Sequence, residues 1–441
     1  MTHRRARFCR SRYDIDMAVD LGREIVFRGD GADARLLARF REAGASAVVF
    51  SKPGQVQEEA CRKLGMQLLS ADSMQFLSWS ELGRAKPGNP VVLAEGSVPG
   101  IARAGTRGAD GEVSSASRQP WVDADSFWIG CLRAVAKDRP AVLGYLPDEK
   151  AGLAKDRVVP FDSLELALAD AWVSGGNYLL TPEPRFRDAV LRGDAQAVAA
   201  WTKLSRTAAW LKDKIDWFRQ PTVPIITALV EPGTESAELA NLMYRQSACP
   251  ALFSAADPPP PAPGRILAVV AASINAPRPA VRDRILAHAI QGATVIVDAP
   301  AEKAWWRVAG MTAAKEEEDR VTYRLGKGFV AAYRKPIEDP SEFALDVIDF
   351  VTHKKRTVRL FSAPSTIVLV TTGRTGETLV LLVNYGSPQR FEVTVHVQGL
   401  FSSARLERPE AATVALKPLR RGSATELRVP EIGRIAVVLL S

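Results

Sequence analysis

From about residue 23 to 218, short apolar runs alternate with stretches whose apolar residues recur at helical spacing; from about residue 356 that helical spacing is gone. Strands that alternate with helices pair in parallel, because a parallel connection has to travel the length of the sheet before the next strand begins. Short strands separated by Gly and Pro turns pair antiparallel instead. A chain written this way folds in successive parts, as 441 residues require once a single core stops growing.

In the first part EIVFRGDG (24–31), SAVVFSK (46–52), MQLLSAD (66–72), VVLAEG (91–96), AVLGYLPDE (141–149) and NYLLTPEP (177–184) read as strands. DARLLARFREAG (33–44), QVQEEACRKLG (55–65), SFWIGCLRAVAKD (126–138) and SLELALADAWVSGG (163–176) read as the helices between them, and 186–218 reads as a long amphipathic helical region. A complete (β/α) barrel has eight strands. Either this barrel-like half is partial, with RVVPF (157–161) as a seventh strand, or strands lie hidden in the polar stretch 97–119, which reads as an excursion loop.

The next part repeats the alternation. Strands are expected at VPIITALVE (223–231), PALFSAA (250–256), RILAVVAA (265–272) and ATVIVDAP (293–300), with helices at 236–246 and 279–292, a pattern suited to a flavodoxin-like doubly wound sheet. No GxGxxG and no GxxxxGK[ST] is present, and Gly326 and Gly328 in GKGFV read as a hairpin turn, so no nucleotide or other cofactor is called for. Beyond 356 the strands TVRLF, TIVLVTT, TLVLLVNYG, RFEVTVHVQG, ATELRVPE and RIAVVLL predict an antiparallel β-sandwich. The expected parts are a basic tail (1–20), a barrel-like half (21–220), an open-sheet part (221–355) and a sandwich (356–441).

Charge excludes several classes. The net charge of +8 owes five positive residues to Arg4, Arg5, Arg7, Arg10 and Arg12; elsewhere basic and acidic residues interleave, and no basic stripe with aromatic residues argues for nucleic acid. No apolar run reaches the roughly 18–20 residues of a membrane helix, so no membrane partner is expected. The basic start lacks the apolar core of a secretory signal, and the compartment stays open. Cys9, Cys61, Cys131 and Cys249, like the four histidines, are too scattered for a zinc site or a thiol–histidine dyad, so no metal is expected.

The phrases ALADAWVSGGNYLLTPEPRF, HAIQGATVIVDAP, GKGFV and LVLLVNYGSPQRFEVTV, in this order of parts, resemble the three-domain family-42 β-galactosidases and their relatives. The resemblance implies a catalytic barrel, a glutamine-amidotransferase-like domain and a small β-sandwich, a carbohydrate partner, and self-association through the central domain. That family uses a glutamate preceded by asparagine after its fourth strand as acid/base, and a second glutamate after its seventh as nucleophile. This chain has no Asn-Glu pair at a strand end, so the acid/base residue does not carry over.

Glycoside hydrolysis needs two carboxyl groups, roughly 5–5.5 Å apart for retention or 6.5–9.5 Å apart for inversion. In a barrel they sit at the C-terminal strand ends. The sequence offers Asp30, Asp72, Glu95, Asp148, Glu149 and Glu183 there, and Glu95 with Glu149 is the expected catalytic pair. Trp121 would stack on a sugar ring, while Asp123, Tyr145, Asp148 and Glu183 would face its hydroxyls. Carboxylates also gather after strands because they cap helix N-termini. Two functions therefore stand open: a glycoside hydrolase, and a carbohydrate-binding or assembly protein that kept the scaffold without the pair.

Overall fold

The computed structural model describes residues 19–95, 125–144, 159–298, 304–337, 340–348, 356–363, 365–386 and 392–441. Residues 1–18 of the basic tail and the expected excursion at 97–119 lie outside them. Among the described residues the chain is mixed α/β, with parallel sheets first and an all-antiparallel region at the C-terminal end.

Three strands, β1 (Ile25–Arg28), β2 (Ala45–Phe50) and β3 (Gln67–Ser70), pair in parallel in the order β1-β2-β3, and β4 (Gln75–Leu77), β5 (Val91–Leu93), β6 (Val142–Leu143) and β7 (Asn177–Tyr178) pair in parallel in chain order. A parallel bridge between Phe27 and Leu180 joins the two sets: the Arg28 N–H donates to Leu180 O at 2.8 Å and the Leu180 N–H to Val26 O at 3.0 Å. At the other side only the 3-10 turn Ala71–Ser73 and Met74 separate β3, bound to β2, from β4, bound to β5. Among the described residues a seventh strand of this half is thus Gln75–Leu77; Val159–Phe161, from the stretch expected to supply one, is a non-strand lead into a helix.

Helices α1 (Ala34–Glu42), α2 (Gln55–Leu64), α3 (Ser126–Val135), α4 (Ser163–Val173), α5 (Pro184–Arg192) and α6 (Ala195–Asp213) accompany these strands. Local chemistry sets their limits. Asp33 caps α1, accepting the Leu36 N–H at 2.8 Å. The long helical region expected over 186–218 is broken because Gly193 takes a left-handed φ of 79° and Asp194 starts a new helix by accepting the Gln196 and Ala197 N–H groups, each at 3.0 Å.

Alternate strand residues face two cores. Phe27, Phe50, Leu93, Leu143, Tyr178 and Leu180 pack beneath the helices, where Phe27 stacks on Phe40 at 4.4 Å and Trp201 closes over both. The opposite set, Val26, Ala47, Val49, Met74, Val92, Val142 and Leu179, packs with Leu69 and Phe76 into a cluster that contains no residue of α1–α6.

The central sheet comprises β8 (Ile226–Val230), β9 (Ala251–Ser254), β10 (Ala268–Val270), β11 (Thr294–Val297), β12 (Thr312–Glu316), β13 (Arg320–Leu325) and β14 (Gly328–Tyr333), ordered β12-β13-β14-β11-β10-β8-β9. Its five parallel strands run 2-1-3-4-5 when numbered by appearance, the flavodoxin-like order, with an antiparallel hairpin added at one edge. Helices α7 (Ser236–Arg245), α8 (Pro279–Ile290) and α9 (Pro340–Asp346) accompany it. The hairpin turn at 326–327 needs its glycines: Gly326 has φ 62°, and a Cβ on Gly328 would lie 2.1 Å from Ala293 O.

Among the described residues nine antiparallel strands follow. One sheet is β15 (Val358–Phe361), β18 (Val393–Gln398), β22 (Ala424–Val429) and β21 (Leu419–Arg421); the other is β16 (Thr366–Thr372), β17 (Thr378–Asn384), β23 (Ile435–Leu440), β19 (Ala404–Glu407) and β20 (Val414–Leu416). Val368, Val380, Leu382 and Val438 meet Val358, Val395, Leu427 and Val429 of the facing sheet in one core. The outer face of the five-stranded sheet is apolar too: Leu369, Leu379, Leu381, Val437 and Leu439 join the core of the first half. That double burial explains the unbroken apolar runs of β16, β17 and β23. Every residue of α4 is buried, as its apolar text on all sides demands. Arg434 locks the junction by pairing with Asp162, the residue just before α4.

Candidate functional site at the strand ends

A residue two positions beyond an inward strand residue faces the same way, so the inner face that carries Val26 and Val49 reaches Arg28 and Ser51 at the C-terminal strand ends. Arg28 lies over the Phe76 ring at 5.7 Å, and its Nε donates to Asp30 Oδ2 at 2.8 Å. Asp30 also accepts the Ser51 N–H at 2.7 Å and the Ser51 hydroxyl at 3.0 Å. Burial works to raise its pKa, but Arg28 and the two Ser51 donors outweigh burial and hold the carboxyl below the usual range. One Arg28 nitrogen, Nη1, is buried without a hydrogen-bond partner among the described residues. Arg187 of α5 fixes the loop from behind, donating to Asp30 O at 2.9 Å.

Glu95 follows β5 and is half-buried. Its Oε1 accepts the Trp79 N–H at 2.8 Å, at the start of the 3-10 turn Trp79–Arg84, so this carboxylate caps a backbone donor. Asp72 is exposed on the turn after β3. Glu183 follows β7 at the N-cap position of α5 without bonding the helix through its side chain. It lines a recess with Phe161, Leu164, Tyr178 and Phe186, where burial raises its pKa and Arg185 offsets part of the rise. The recess holds about 20 Å³, room for about one water.

Of the expected site residues, Trp121, Asp123, Tyr145, Asp148 and Glu149 lie outside the described residues. Glu95 and Glu183 stand at the ends of β5 and β7, on either side of β6. Arg28 and Ser51 went unread in the sequence, although the alternation in IVFR already sets Arg28 on the face of Val26. Among the described residues no three His, Cys, Asp or Glu side chains gather as a metal site would require, and no helix is long and apolar enough to cross a membrane. Cys61, Cys131 and Cys249 are buried free thiols.

No family profile matches this chain, and no curated protein matches its sequence. Solved structures do share its fold. Alpha-L-fucosidase isoenzyme 2 from Paenibacillus thiaminolyticus aligns with 92% of this chain and 79% of its own at 10% identity, with a TM-score of 0.51. The GH42 β-galactosidase Gan42B from G. stearothermophilus aligns at 9% identity over 87% of this chain, TM-score 0.48, and the chain spans only 65% of its length. The β-galactosidase from Bacillus circulans sp. alkalophilus aligns at 10% identity over 88% of this chain and 67% of its own, TM-score 0.47. At such identity the likeness is one of fold: a glycoside hydrolase-like, multidomain arrangement of α/β and all-β parts.

Proposed function

We propose that this chain is a carbohydrate-binding protein on a glycoside hydrolase-like scaffold, with its ligand held at the C-terminal ends of the seven parallel strands. In this reading those strands close into a short barrel. Two features support closure: the Gln67–Leu77 run borders β2 and β5 at once, and the inner cluster draws on β1 to β6 and on Leu179 just after β7, with no residue of α1–α6. A division at about 220 and 355 belongs to the same proposal; the start of the central sheet at Ile226 and of the antiparallel strands at Val358 supports it.

The observation that carries non-hydrolytic binding is the engagement of the strand-end acids. Glu95 Oε1 accepts the Trp79 N–H, and Asp30 is held by Arg28 and Ser51, so both carboxylates have a structural task where they stand. What faces the mouth is a guanidinium beside an aromatic ring, a pairing suited to holding a polyhydroxylated ring by hydrogen bonds and stacking. Trp121, Asp123, Tyr145 and Asp148, on the stretches before α3 and after β6, would complete the contacts. Isothermal titration with galactose- and fucose-containing oligosaccharides tests this. Saturable binding that Arg28→Ala weakens about tenfold is expected. Absence of binding to any of them, or binding indifferent to Arg28, contradicts it.

Glu183 favours a second reading, glycoside hydrolysis. Its raised pKa suits a general acid, and Asp30 is shifted the opposite way, the divergence that acid–base pairs display. Glu149, which follows β6 in sequence, would then pair with Glu95 or Glu183 from the flanking strands. Self-association through the central sheet belongs to the same proposal; light scattering that shows only monomer at micromolar concentration contradicts it.

A further inference from the structure

Away from the strand ends, a cavity of about 300 Å³ opens where three parts of the chain meet. Its walls come from α3, the end of α4, the linker 218–224, α7, the edge strand β9 and strand β16. The volume lies at the lower end of the range for small-ligand pockets. Most of the lining is apolar, with Val173, Phe218, Pro224, Leu252 and Leu369 contributing, and no Asp or Glu lines it.

Arg133 stands in this wall. More than a third of its surface is reachable by solvent, yet the surrounding protein is dense enough to lower its pKa through desolvation. The two facts agree for a side chain that faces a deep recess. Its one hydrogen bond among the described residues runs from Nη1 to Ser174 O at 2.8 Å, with no carboxylate partner. Behind it Arg219 donates to Gly175 O and Gly22 O, and burial together with the charge of Arg133 lowers its pKa to about 10. Asp20 is the opposing charge; it is half exposed and also pairs with Arg23 at 3.3 Å. Lys137 on the rim already has its carboxylate, Asp257, at 2.6 Å. The hydroxyls of Ser174 and Thr371, both residues of the cavity wall, are buried without a hydrogen-bond partner among the described residues.

Charges withdrawn from water are ordinarily paired. Here Arg219 is met by two carbonyl oxygens, Asp20 acts on it while also pairing with Arg23, and Arg133, beside the Tyr244 phenol, faces an apolar recess with no carboxylate partner among the described residues. We infer that this cavity binds a small monocarboxylate with an apolar body, its carboxylate paired to Arg133 and its body lodged against Leu252 and Leu369. The site is independent of the strand ends. Since its walls span the first half, the central sheet and the sandwich, an occupant would hold the three together.

The test is isothermal titration of the full chain with benzoate, phenylacetate and hexanoate, each against its neutral amide. At least one carboxylate should saturate a single site, with the amide at least tenfold weaker, and Arg133→Gln should remove that preference while the amide's affinity stays unchanged. Saturation by no carboxylate, equal binding of acid and amide, or an affinity indifferent to Arg133→Gln overturns the inference. Should Arg133→Gln fail to fold, the acid–amide comparison on the native chain decides alone.

Discussion

Asp170 is wholly buried on α4, and its Oδ2 accepts the N–H groups of Asp125 at 2.6 Å and Ser126 at 3.1 Å, tying the start of α3 to α4. Polar groups around it include the carboxylate of Asp125, the Tyr244 phenol and the hydroxyls of Ser126 and Tyr385, the last from the turn after β17. Burial raises its pKa to about 6, against the lowering effect of Tyr385 and the two backbone donors. A carboxyl with a raised folded-state pKa binds its proton more tightly when folded. Its stabilising share is complete below the unfolded value near 3.8 and is lost as pH climbs through 6. The difference corresponds to about 3 kcal/mol. Asp170→Asn keeps an acceptor for both N–H groups and cannot titrate. Melting of the two proteins is compared from pH 4 to pH 8. For a chain of this length unfolding as one unit, 1 kcal/mol moves Tm by about 1 °C. Relative to the variant, the native protein should therefore lose about 3 °C across that window. Parallel melting curves of the two proteins at every pH would refute the assignment of this titration to Asp170.

Gly328→Ala should lower thermal stability by about 3 kcal/mol or more, because its Cβ meets backbone oxygens of Ala293 and Ala289 that have no room to retreat; a melting temperature equal to that of the native chain counts against the hairpin packing. Cys131 and Cys249 are 0% and 2% exposed and burial pushes both thiols up, so peptide mapping after alkylation at neutral pH should find them unmodified in the native protein and modified in urea. Modification of either in the native state contradicts the packing of α3 and of the segment before β9.

How much of this the sequence disclosed depends on whether local pattern or distant contact decides. The strands at 25–28, 45–50 and 226–230 are apolar runs bounded by turns, and the hairpin at Gly326 and Gly328 follows from backbone freedom, so all are readable in place. Gln75–Leu77 is three residues long and stands beside a 3-10 turn; only pairing with β5 makes it a strand, and no local signal states that. The break at Gly193–Asp194 was written in the residues themselves, a glycine followed by a capping acid, but helical periodicity on both sides masked it. Carboxylates are the hardest to read. Glu95 and Glu183 look alike in the text, each an acid after an apolar strand; one caps the Trp79 N–H and the other lines a small apolar recess, and only the partner from elsewhere in the chain separates them. Arg28 is legible by alternation, which sets it on the face of Val26, but a guanidinium at a strand end carries no catalytic signature of its own.

In the proposed function the strand-end acids serve structure rather than chemistry. Turnover of a panel of aryl glycosides by the native chain, followed from pH 4 to pH 8, tests that most directly. The account predicts no release of the aryl group above the buffer rate at any pH. Release that follows a bell-shaped pH profile and disappears in Glu149→Gln or Glu183→Gln would contradict it and establish hydrolysis at this site.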